Sequence, residues 1–536
     1  MPILPDIDAL SLQEQVAQMI VVRASGYLYD HQIQYPMWEP PNQTLHTWIS
    51  EYGVGGVILL GGSAPEIYLR SHQLQSWANI PLLIGADVEE GVGQRFTGAT
   101  GFPPPMALSQ MKPTQAVDMA EKMGTVTAME AQAIGLNWLF APVVDVNNNP
   151  ANPVINVRSF AETSAEVATL AAAFIRGAQA YPVLTTAKHF PGHGDTAVDS
   201  HLQTPVIDCD RERFTNVELP PFAAAIASGV DAIMTAHVYA PVLDAQYIAT
   251  LSPKIITDLL RQEMGFSGLI VTDALVMAGI TDRYTVAQAA VQAVIAGVDI
   301  LLMPVDPVAT IAAICAAVEA GQISRHRIRA SLARIWQAKA RACISTNITQ
   351  TTQTNELDRL YNNLGNVASL QVDREITINS LRIHQPSPLV IDSDRPCINL
   401  LIVDDQLTCT EFLSPRAAAV AIPTKLGYPC IIADRHSLPH MQLDRLDRSS
   451  PVILQIFSRG NPFRGSAAMH EQIGKAIEVL IERDRLAAIA VYGSPYNLED
   501  IIPLLPPNIP WVFSYSQLPA AQLAVMQSLG LSPSAN

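Results

Sequence analysis

The stretch 188–201, "KHFPGHGDTAVDSH", gathers three histidines, two aspartates and a lysine, with Pro191, Gly192 and Gly194 interrupting any regular helix. Three kinds of chemistry could use such a set. His189, His193, Asp195, Asp199 and His201 are all metal-ligand types, and clusters of this sort on barrels commonly hold catalytic zinc. The spacing argues against a metal: a His-x-x-x-His pair shares one face only on a helix, and Pro191-Gly192 lies between His189 and His193. A purely structural use, stiffening a surface loop, suits His193 and Asp195 singly better than it suits the whole cluster. The remaining reading is acid–base catalysis. Asp199 and His201 stand two apart, so an extended loop turns both side chains the same way. A carboxylate beside an imidazole holds its tautomer and favours the protonated form, which makes a proton donor usable near neutral pH.

A donor requires a partner, and "GLIVTDAL" supplies one: Asp273 ends an apolar run with no other ionisable group. A helix N-cap is the competing use of an Asp just after a strand. A carboxylate opposite an acid–base group is the usual arrangement for cleaving a glycosidic bond through an oxocarbenium-like transition state. Here a His-Asp pair would replace the second carboxyl.

Those residues need elements to hold them. Eight short apolar runs alternate with amphipathic helical stretches: 18–23, 55–61, 81–87, 137–146, 183–189, 231–237, 268–273 and 298–304. Continuous apolar runs of this length suit strands buried on both faces of a parallel sheet, and segments such as "TSAEVATLAAAFIRGAQAY" and "SPKIITDLLRQEM" separate them as helices. Eight such units predict an α/β fold, a (β/α)8 TIM-type barrel, with an open doubly wound sheet as the alternative. Barrel chemistry sits at the C-terminal ends of the strands, where Asp87, Asp145, Lys188 with His189, His237 and Asp273 fall. The catalytic domain is expected over 1–345, a polar, Thr/Asn-rich linker over 346–385, and a second α/β, sandwich-like domain over 386–536, with strands at "CINLLIVDD", "PVILQIFSRG", "LAAIAVYGSPYNL" and "PWVFSYS". No reactive cluster marks that second domain.

The chain is 49% hydrophobic and 15% charged, enough apolar residue for a large core. A formal net charge of -16 and the lack of any basic run exclude nucleic acid as a partner, because phosphate binding requires a concentrated basic face. The most apolar long stretch, 286–304, is broken by Gln288, Gln292 and Asp299, so no membrane span is expected. The N-terminal sequence lacks the basic-then-apolar pattern of a secretory signal, and a cytoplasmic location is the expectation. Cys209, Cys315, Cys343, Cys397, Cys409 and Cys430 form no CxxC pair and suit reduced, mostly buried thiols.

"KHFPGHGDTAVDSH" followed by "LQTP", with "FAPVVDVNNNPANPVINVRSF", "MTAHVYAP", "LSPKII" and "GFSGLIVTDALVMAGI", resembles the family 3 glycoside hydrolases, in particular their bacterial β-N-acetylhexosaminidase branch, over nearly all of 10–340. The resemblance implies Asp273 as nucleophile, His201 as general acid–base and Asp199 as its assistant, in a retaining double displacement. It places Asp87, Arg95, Arg158, Lys188 and His189 on sugar-binding positions; without it, a structural ion pair at the barrel rim is the competing use of Arg95 and Arg158. It implies an exo-acting β-N-acetylglucosaminidase with a small carbohydrate substrate, suggested to be cell-wall muropeptide fragments, and no metal, organic cofactor or protein partner. A β-glucosidase or β-xylosidase of the same family, a glycoside phosphorylase, a metal-dependent hydrolase and an inactive sugar-binding protein are the alternatives. One departure stands out: where relatives commonly have Asp-x-Glu-Gly-Gly, this chain reads "DVEEG", so Glu90 replaces a glycine beside Asp87. The second domain resembles the C-terminal domain of two-domain members only weakly, at "VYGSPYNL".

Overall fold

The computed structural model describes residues 4–196, 204–281, 283–342, 358, 360–387, 389, 397–406, 409, 412–441, 450–459 and 470–531. The chain divides into two compact units, Met1–Gly101 with Pro113–Leu370, and Phe102–Lys112 with Gln371–Asn536.

Among the described residues the first unit carries eight strands: β1 (Ile20–Ser25), β2 (Gly56–Leu60), β3 (Leu83–Ala86), β4 (Trp138–Leu139), β5 (Thr186–Phe190), β6 (Ala232–Thr235), β7 (Leu269–Thr272) and β8 (Leu301–Leu302). They pair in parallel as an arc β4-β3-β2-β1-β8 and a second arc β5-β6-β7. Parallel bridges Trp138↔Leu184 and Val271↔Ile300 join the two arcs at both ends, so each strand neighbours the next and β8 returns to β1. This ring is the expected (β/α)8 barrel, and each of the eight apolar runs holds one strand. Their near-complete burial follows from enclosure between a packed interior and a ring of helices.

Local sequence explains the helices. Ser63 caps Ala64–Trp77 through the Glu66 amide, and Thr285 with Gln288 forms a reciprocal capping box on Val286–Ala296. The helices Pro113–Ala133 and Ser164–Ala178 lie against each other where both carry glycine. A Cβ on Gly124 would sit 2.1 Å from the Phe174 carbonyl oxygen, and one on Gly177 would sit 1.9 Å from that of Glu121. Any side chain at either position would force these helices apart.

Among its described residues the second unit forms a six-stranded sheet. β9 (Arg382–His384), β10 (Ile398–Val403), β11 (Cys430–Ala433), β12 (Val452–Ser458), β13 (Leu486–Gly493) and β14 (Trp511–Ser514) take the order β11-β10-β12-β13-β14-β9, parallel except for β9. The five parallel strands have the doubly wound 2-1-3-4-5 order. Helices Ala418–Lys425 and Pro519–Ser528 pack together, as do His470–Glu482 and Pro495–Ile501. Within 346–385, the described residues include the helix Val367–Asn379 and β9.

Cys209, Cys315, Cys397, Cys409 and Cys430 are free thiols, but only Cys397 and Cys409 are buried. The expectation of mostly buried thiols is corrected: Cys209 lies on a loop, and Cys430 begins the edge strand β11, which has a neighbour on one side only. Cys343 is outside the described residues. No described helix is long and apolar enough to cross a membrane.

Candidate active site

At the C-terminal rim of the barrel, β3 and β5 bring two carboxylates onto one buried ammonium. Lys188 Nζ lies 2.8 Å from Asp87 Oδ1 and 2.6 Å from Glu89 Oε1, with the lysine 1% exposed. Arg158, on the loop after β4, grips Glu89 through two parallel bonds, Nε to Oε2 at 2.8 Å and Nη2 to Oε1 at 2.7 Å. The fork geometry of guanidinium and carboxylate makes this the stronger of the pairings. Burial would raise the Glu89 carboxyl, but Arg158 and Lys188 hold it well below its ordinary value. Burial likewise opposes the Lys188 charge, and Asp87 and Glu89 reverse that, raising its pKa. The four groups balance as two anions and two cations. Two bonding positions remain unspent: an ammonium has three N–H donors, of which two face carboxylates, and Asp87 Oδ2 accepts no hydrogen bond among the described residues.

Of the expected sugar-binding residues, Asp87, Arg158 and Lys188 therefore meet, with Glu89 as a hub that the sequence reading missed. Arg158 is an ion-pair partner at the rim, as its alternative reading held, and lies beside the sugar-binding candidates at the same time. Arg95 is exposed and donates from Nε to the Asp87 backbone carbonyl at 3.1 Å. Glu90 is buried, and its amide donates to Gln94 Oε1 at 3.0 Å.

His189 belongs to a second group. Its ring Nδ1 is 2.7 Å from Asp145 Oδ2, and its amide and that of His193 also donate to the Asp145 carboxylate. Burial would raise Asp145, but His189 and its hydrogen bonds lower it below the ordinary value. His193 is pushed down to about 4 by burial, with Asp145 opposing, and is neutral at neutral pH. The turn 192–195 fits tightly beneath: a Cβ on Gly194 would lie 1.7 Å from the Val146 carbonyl oxygen.

Asp273 follows β7 directly and is half-buried. Its Oδ1 accepts from the Ala274 amide at 2.8 Å, and its own amide donates to the Thr235 carbonyl. The next helix starts at Ala278, so Asp273 does not cap it. His237 Nε2 donates to the Ala274 carbonyl at 3.1 Å and fixes the backbone beside Asp273. Asp195 pairs with Arg213 at 3.0 Å, and Arg213 lies 3.6 Å from Glu218. Glu218 is buried beneath this turn with Oε2 unbonded among the described residues, and burial pushes it up to about 7. Asp199 and His201 lie outside the described residues. Among the described residues, no three His, Cys, Asp or Glu side chains gather as a metal site.

Residues 11–338 match the glycosyl hydrolase family 3 N-terminal domain, and 390–530 match the bacterial glycosyl hydrolase family 3 C-terminal domain. The chain belongs to glycosyl hydrolase family 3. Among family relatives, β-hexosaminidase A of Pseudoalteromonas piscicida is 35% identical over 399 residues, 68% of this chain and 65% of that protein. A protein of Cellulomonas fimi named β-N-acetylglucosaminidase/β-glucosidase is 34% identical over 297 residues, 54% of this chain and 52% of its own length. These matches thus span less than two thirds of either relative. A solved family 3 β-N-acetylglucosaminidase from Paenibacillus sp. str. FPU-7 is 30% identical with a TM-score of 0.79, over 98% of this chain and 97% of the other.

Proposed function

We propose that this family 3 member is a cytoplasmic, retaining exo-β-N-acetylglucosaminidase acting on small saccharides, muropeptide fragments among them. The observation that carries the reading is the charge-balanced quartet of Asp87, Glu89, Lys188 and Arg158 on the same strand-end rim as Asp273. Such a quartet offers charge-assisted donors and acceptors to hydroxyl and acetamido groups while carrying no net charge of its own. Arg95 and His189 complete the sugar-binding set.

In the proposed reaction, the Asp273 carboxylate attacks the anomeric carbon as the glycosidic C–O bond breaks, and the leaving oxygen takes a proton from His201, supported by Asp199. Water then attacks the glycosyl–Asp273 ester, gives its proton to neutral His201, and frees Asp273 with configuration retained. No metal or organic cofactor enters these steps. A neutral imidazole repels an anionic acceptor less than a carboxylate would, so phosphate is a secondary acceptor after water.

β-Glucosidase action is the second reading, supported by the double name of the Cellulomonas relative. Rates on a panel of nitrophenyl glycosides, with and without phosphate, test both. Preference for the N-acetylglucosaminide is expected. Preference for the glucoside would select the second reading, and binding without turnover of any member would end both.

A further inference from the structure

We propose that Asp145 is a positioning residue that locks the His189 ring with its proton on Nδ1, so that Nε2 presents a lone pair to a ligand hydroxyl. The ligand part of this rests on the glycoside reading of the barrel mouth; the ring geometry does not. Asp145 is 1% exposed, and one short segment of β5 and its turn supplies its bonds. The His189 amide lies 3.1 Å from Oδ1 and 3.2 Å from Oδ2, the His193 amide 2.8 Å from Oδ1, and His189 Nδ1 2.7 Å from Oδ2. Two amides can only donate, so both oxygens are committed as acceptors. A carboxylate so engaged has no proton to offer the ring, and the Nδ1 contact requires the hydrogen on Nδ1.

The other ring nitrogen is unspent. The His189 side chain is 7% exposed, yet Nε2 makes no hydrogen bond among the described residues. In a neutral ring with Nδ1 protonated, Nε2 is an acceptor. Lys188, the preceding residue, holds an unspent N–H donor. Adjacent side chains thereby offer one donor and one acceptor, a pairing suited to sugar hydroxyls, which need both. Asp145 touches no ligand itself; it decides which role Nε2 plays.

The full-length protein with ¹⁵N-labelled histidine would be read at pH 8 by long-range proton–nitrogen correlation, with His189 assigned by its loss in His189→Gln. The Nδ1–H tautomer is expected in the wild type. Asp145→Asn, which can turn an amide N–H toward Nδ1, is expected to move the population to Nε2–H. KM on the preferred glycoside should then rise roughly ten-fold, the scale of one hydrogen bond, with a smaller change in kcat. An Nε2–H tautomer in the wild type overturns the proposal, as does an imidazolium there at pH 8, which presents no lone pair, and so does a folded Asp145→Asn protein with unchanged tautomer and KM. If Asp145→Asn fails to fold, the wild-type spectrum still decides. A wild type with the Nδ1–H tautomer but no glycosidase activity would refute the functional reading and leave the positioning of the ring standing.

Discussion

Asp299, just before β8 at the N-terminal foot of the barrel, and Glu89, just after β3 at its mouth, are both buried carboxylates ringed by cations, but their surroundings close differently. Asp299 is bonded by Arg261, by Arg334 at 3.0 Å, by Arg327 at 3.5 Å, by the Ser331 hydroxyl at 2.6 Å and by the Ile270 amide at 3.1 Å. The arginines spend further N–H groups on backbone carbonyls, Arg261 on Phe266 and Arg327 on Val294 and Val298. At the mouth, Lys188, Asp87 and His189 each keep a polar position unspent among the described residues. Glu218, beneath the turn 192–195, is a third case: a buried carboxylate whose one cation among the described residues stands 3.6 Å away and whose pKa rises to about 7. The same residue type is thus a structural bolt, half of a proposed binding surface or a titrating group, according to how fully its neighbours answer it.

Five substitutions test that contrast. Asp273→Ala should abolish turnover while leaving the fold intact, since no glycosyl ester can form; a slow 2-fluoro glycoside should label Asp273 in the wild type, and label elsewhere would sink the assignment. Asp299→Ala should cost about 3–5 kcal/mol of stability by stranding three arginines, read as a lower denaturant midpoint, with activity per folded molecule unchanged. For Glu218 the folded-state pKa lies above the ordinary 4.5, so the native state holds its proton longer. Its contribution therefore falls as pH rises from about 4.5 through about 7, by roughly 3 kcal/mol. Glu218→Gln should remove that slope, and identical pH–stability curves for the two proteins would refute it. Smallest is the effect at the mouth: Arg158→Ala or Lys188→Ala should lose roughly 2–3 kcal/mol of kcat/KM, the scale of a charge-assisted hydrogen bond. Wild-type efficiency in both would place the sugar site elsewhere.

The eight barrel strands were legible because parallel burial writes each as an apolar run, and Asp273 stood out as an ionisable group ending a run that holds no other. β9 and β11 were not. β9 is three residues with no buried member, and β11, at the opposite edge, is mostly exposed, so neither carries the apolar signal of a central strand. Glu89 was hidden in a different way: it sits between Asp87 and the conspicuous Glu90, while its partners Arg158 and Lys188 are distant in sequence. Asp145 was read as a rim residue, but its hold on His189 spans 44 positions and exists only once β4 and β5 are neighbours.

The balance of the quartet also governs what the site does at a distance. Two anions and two cations packed within hydrogen-bonding range cancel beyond a few ångströms, and in physiological salt any residual field decays over about 8 Å. The quartet thus exerts no long-range pull on a passing solute, while the chain as a whole, at -16, slows the arrival of anions. An uncharged saccharide is indifferent to both. Encounter is therefore unselective for such a ligand, and under the proposed function discrimination waits until its hydroxyls are close enough to meet Lys188, Asp87 and His189.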